Sequence, residues 1–134
     1  MPTAVRRKGA WLAGLLLVAA GPGRAAEAAS VSFTAAPGSF PLVARGAAAG
    51  LWVEAGDWPG VIRAAGDLQK DVERVAGVRP ELSTAGPVRG PVAVIIGTVG
   101  RSALIDRLVR GGQLDVRAIR GQWEASVRAV VAHP

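Results

Sequence analysis

Apolar positions follow two different periods along the chain. Val61, Ala65, Leu68, Val72 and Val75 recur at spacings of 4, 3, 4 and 3, which sets them on one face of a helix. The helix is expected from about Trp58 to Ala76, with Asp57 as N-cap, Pro59 in the first turn where its missing N–H costs nothing, and Gly77 as the stop. Before it, residues 51–55 (LWVEA) alternate enough to form a strand. After it come a short strand over 79–83 (RPELS) and a Gly and Pro-rich loop over 85–91. Residues 92–97 (VAVIIG) are continuously apolar and β-branched, the composition of a buried central strand.

Ser102 is placed to cap a second helix whose Leu104, Ile105, Leu108 and Val109 face the core, and Gly111-Gly112 end it. Residues 114–121 fit neither period. Residues 122–131 (QWEASVRAVV) alternate in part and are expected to form a last strand, with nothing after them to cover it. The order strand, helix, strand, strand, helix, strand predicts an α/β fold, with α+β as the alternative: helices on a small mixed sheet, incomplete at its C-terminal end.

The N-terminus has a different character. Arg6, Arg7 and Lys8 precede an apolar run, Ala10 to Ala20, and Gly21, Pro22 and Gly23 break it before a small-residue stretch ending in Ala26-Glu27-Ala28. This is the layout of a cleaved signal peptide over residues 1–28, and the apolar run is well short of the roughly 20 residues a spanning helix needs. A periplasmic or extracellular location and no stable membrane span follow; Arg6-Arg7 leave the secretion route open. Residues 29–40 form a flexible leader, and 41–134 the domain. Without the signal, 12 basic residues face 9 acidic ones, so the formal charge falls from +6 to +3. The cations that remain, such as Arg63, Lys70, Arg74, Arg107 and Arg110, are interspersed with Asp67, Asp71, Glu73 and Asp106. That is the pattern of solvated helix faces, and it gives no reason to expect nucleic acid as a partner.

The chemical inventory is thin. The chain has no Cys and one His, His133, next to its end, which excludes thiol catalysis, disulfides and thiolate metal sites and leaves no evident relay. No metal or cofactor is expected. The most site-like feature is the loop Gly97-Thr98-Val99-Gly100-Arg101-Ser102 between a strand and a helix, where Gly97, Thr98, Gly100, Arg101 and Ser102 could hold an anion at the helix N-terminus. It matches neither a P-loop nor the dinucleotide fingerprint. The plainer description, a tight strand-to-helix turn capped by Ser102, takes precedence. Glu54 and Asp57 form a carboxylate pair of the kind glycoside hydrolysis uses, but Asp57 is already explained as a cap and Glu54 by an exposed strand face. Trp52, Trp58 and Trp123 could stack on sugar rings, although each adjoins an apolar segment and suits a core or interface.

Several blocks in order carry a family resemblance. They are Gly38-Ser39-Phe40-Pro41-Leu42-Val43; Trp58 through Asp71; Arg74-Val75-Ala76-Gly77 with Pro80; Ile95 through Ser102 with Leu104-Ile105-Asp106; and Gly121-Gln122-Trp123-Glu124. Together they resemble the beginning of glycoside hydrolase family 115, the xylan α-1,2-glucuronidases, over most of residues 38–134. The resemblance implies an extracytoplasmic enzyme that removes glucuronic acid or its 4-O-methyl ether from xylan side chains, with this region as a small N-terminal α/β domain. The carboxylates of catalysis would belong mainly to a following barrel, which with glucuronoxylan would be this domain's partner. The chain ends where a further strand, a helix and that barrel are expected, so no catalytic residue carries over, and the chain resembles a truncated reading frame. The alternative is a stand-alone secreted module that binds a saccharide or an anion.

Overall fold

The computed structural model describes residues 31–37, 39–86 and 89–132. The signal segment and His133 lie outside the described residues, and the account concerns the unit that begins at Thr34. Its first regular structure is a hairpin of Val43–Ala44 (β1) and Ala47–Ala48 (β2), absent from the expectations above. Arg45 (φ 52°) and Gly46 (φ 74°) both take the left-handed conformation that a two-residue hairpin turn demands. Among such short Ala-rich strands the only sequence signal is the glycine.

The sheet is built on Gly50–Val53 (β3). Leu82–Ser83 (β4) pairs parallel to it on one side and Ala93–Ile96 (β5) parallel on the other, with Leu51 opposite both Leu82 and Val94. The α/β class is therefore as expected, with antiparallel pairing confined to the hairpin. The central strand is β3, however, and β5 is an edge strand whose four side chains are all half-buried. An unbroken apolar run signals apolar surroundings on both faces; it does not specify which neighbour lies in the middle. The strand expected over 79–83 is reduced to its last two residues, because Pro80 offers no amide to a ladder.

The first helix, α1 (Pro59–Ala76), crosses from β3 to β4 and covers one face of the sheet. Leu51, Val53 and Ala65 are fully buried there, with Val72 close behind. Val61 and Leu68 are half-buried, and Val75, expected in the core, is exposed. On the solvent face Lys70 pairs with Asp67 and Arg74 with Asp71, each one turn apart. Gly77, left-handed at φ 69°, ends the helix and donates its N–H to the Glu73 carbonyl. Gln69 donates to the Pro80 carbonyl at 2.8 Å and accepts from Arg79, tying the helix to the chain that enters β4.

The second helix, α2 (Ala103–Arg110), buries Ile105 and Leu108, with Leu104 and Val109 half-buried at the margins. Gly111 and Gly112 end it as expected. A short 3₁₀ turn at Arg117–Ile119 follows, with Val116 buried beside it. Residues 122–131, expected as a strand, pair with no strand among the described residues: the backbone is irregular and almost wholly exposed. A strand exists only where a neighbour accepts its ladder, and none is supplied here. Among the described residues no helix is long and apolar enough to cross a membrane.

Candidate functional site

The loops leaving β3 and β5 meet beyond the carboxyl ends of the strands. In open parallel sheets a crevice that receives ligands forms at this place. Here the chain fills it with its own carboxylates. Asp57 is buried, and it is not the side-chain cap of α1: Trp58 holds the cap position and makes no side-chain cap bond. Instead Asp57 Oδ1 accepts from the Trp58 N–H and the Thr98 hydroxyl, both at 2.7 Å, while Oδ2 accepts from the Thr98 N–H at 2.7 Å. Two loops 41 positions apart are thus joined by one side chain. Burial by itself pushes the Asp57 carboxyl up, but the Thr98 hydroxyl and N–H, the Trp58 N–H and the nearby Arg101 charge more than offset this. Together they hold it below its ordinary value.

Glu54 does the same work one turn further on. Its Oε2 accepts from the Ala103 N–H at 2.6 Å, at the first position of α2, where a carboxylate also meets the positive end of the helix dipole. Asp106 reaches back to accept from the Gly100 N–H at 2.7 Å. Ser102, fully buried, accepts from the Ile105 N–H through Oγ at 3.2 Å, so the expected cap is in place.

Each residue proposed for anion binding now has a location. Gly97 closes β5, and a Cβ there would stand 2.9 Å from the Ser102 Cβ and 3.1 Å from Ile105 Cγ1, so close approach of helix and strand requires glycine. The Thr98 and Gly100 amides are taken by Asp57 and Asp106, and those of Arg101 and Ser102 by the Thr98 carbonyl. Gly100 itself is left-handed at φ 83°. Arg101 lays its guanidinium over the Trp58 ring, 3.3 Å from the centroid. Of the loop's amides, those of Thr98 and Gly100 are thus given to carboxylates and those of Arg101 and Ser102 to a backbone carbonyl. In the sequence only Asp106 stands near this turn; Asp57 and Glu54 lie 41 and 49 positions from the residues they hold, so no local pattern could reveal their part.

The tryptophans separate by environment. Trp58 is half-exposed beneath Arg101, Trp123 is exposed, and Trp52 lines a cleft of about 390 Å³ with Glu54, Ala93, Ile95, Leu104 and Arg107. This cleft lies on the sheet face opposite α1, left open because the connection from β4 to β5 carries no described helix. Among the described residues no group of His, Cys, Asp and Glu could hold a metal ion. No protein-family model matches the chain, and no curated protein matches it.

Proposed function

We propose that this unit serves as the N-terminal α/β domain of a secreted glycoside hydrolase that removes glucuronic acid or its 4-O-methyl ether from xylan, and that it supplies no catalytic group itself. The observation that carries the second half is the commitment of Glu54 and Asp57. Both carboxylates hold backbone N–H groups of a neighbouring loop or helix. A general acid or nucleophile must instead face its substrate. The first half rests on the ordered resemblance to family 115. Its support is that the block around Trp58 and the block from Ile95 to Ser102 meet in space through Asp57, Thr98 and Arg101. Against the anion-binding alternative stands the use of the Thr98 and Gly100 amides by Asp57 and Asp106.

The test is direct. The purified full chain incubated with glucuronoxylan is expected to release no free uronic acid, and clear turnover overturns the reading. Sequencing the DNA beyond the Pro134 codon is expected to reveal a frame, continuous or shifted, that encodes a barrel with paired carboxylates; an unrelated intergenic region argues for the stand-alone module.

A further inference from the structure

The unit carries two incomplete β-elements. The first is the outer edge of β5: among the described residues this strand has β3 on one side and no strand on the other. Its outward N–H and C=O groups are a template for another strand. All four of its side chains, Ala93, Val94, Ile95 and Ile96, are apolar and half-buried, so a strand added there finds partners on both faces.

The second is the segment 125–131. It has no regular structure, and among the described residues it makes no backbone hydrogen bond; the last such donor before it is Gln122, to the Ile119 carbonyl. In an extended backbone Val127, Ala129 and Val131 point to one side and Ser126, Arg128 and Val130 to the other. Val127 and Val130 are 38% and 73% exposed. This is a strand in composition with no ladder. Gly121 (φ 71°) and Glu124 (φ 53°) are both left-handed and stand just before it, so rotation at these two positions redirects the segment without disturbing α2.

We infer that two copies of the chain exchange these elements, residues 125–131 of each adding to the open edge of β5 in the other. A second copy is the occupant the page supports, because each chain carries one donor and one acceptor. Reciprocal exchange satisfies both at once and closes with two-fold symmetry, leaving neither over. The inference does not depend on the glycosidase reading.

Light scattering on the full chain across a concentration series is expected to show a monomer passing into a dimer. Ala129→Pro removes an N–H from the middle of the added strand and should abolish the dimer. Ala129 is exposed, so the thermal melt of the monomer should stay the same. Hydrogen exchange supplies the second readout: amides 125–131 become protected as the dimer forms and lose that protection in A129P. A monomer at every concentration overturns the inference. So does a dimer that survives A129P, protection of 125–131 within a monomer, or growth beyond two copies.

Discussion

Asp57 concentrates much of the unit's tertiary organisation in one side chain. Replacing it by Ala leaves the Thr98 N–H without its acceptor in a partly buried place. The expected loss is about 1–3 kcal/mol in denaturant unfolding, with Asp57→Asn between wild type and Ala because only part of the pattern survives. The pH dependence follows from the direction of its shift. The folded carboxyl lies below 3.8, so the unfolded chain takes up the proton first as pH falls. The contribution is complete above about 3.8 and is lost as pH drops through the lower folded value. Melts of wild type and D57N should therefore diverge above that range and converge under stronger acid; parallel curves would remove Asp57 from this role. Gly97 is the second decisive residue. Gly97→Ala puts a Cβ 2.9 Å from that of Ser102, and an overpacking cost of about 1–3 kcal/mol should appear as a lowered melting temperature.

At the scale of elements, the two helices differ in how completely their periodicity translates into burial. α2 buries the inner pair of its four apolar positions, and Ser102 caps it as its position suggests. α1, at 18 residues, is longer than the strands it covers, so its stripe is buried only at Ala65 and Val72, and the last position, Val75, is exposed. Val72→Ala should therefore cost at least about 1 kcal/mol. Val75→Lys should stay within about 0.5 kcal/mol of wild type. Equal losses at the two positions, measured by equilibrium unfolding, would mean that the apolar stripe is buried along its whole length. The N-terminus of α1 teaches a related point. Asp57 stands where a cap is expected, yet its oxygens turn toward Thr98, because a buried carboxylate between two loops satisfies three donors where a cap satisfies one or two.

For the whole molecule, the parallel order β4-β3-β5 leaves one sheet face under α1 and the other with a cleft and an open edge. The open edge is the one on which the proposed strand exchange acts. The sequence by itself determined the α/β class, the extent of both helices, the Ser102 cap, the glycine stops and the paired charges on the solvent face of α1. Each of these depends on neighbours within a few positions, where 3.6-residue periodicity and terminal N–H groups act directly. Only the tertiary structure decided that β3 is central, that residues 125–131 find no partner strand among the described residues of their own chain, and that Asp57, Asp106 and Glu54 take the N–H groups of Thr98, Gly100 and Ala103. The β3–β5 pairing and the bonds made by Asp57 and Glu54 join residues more than 40 positions apart. The local pattern registers that such groups need partners, and the packing of loop on loop chooses them.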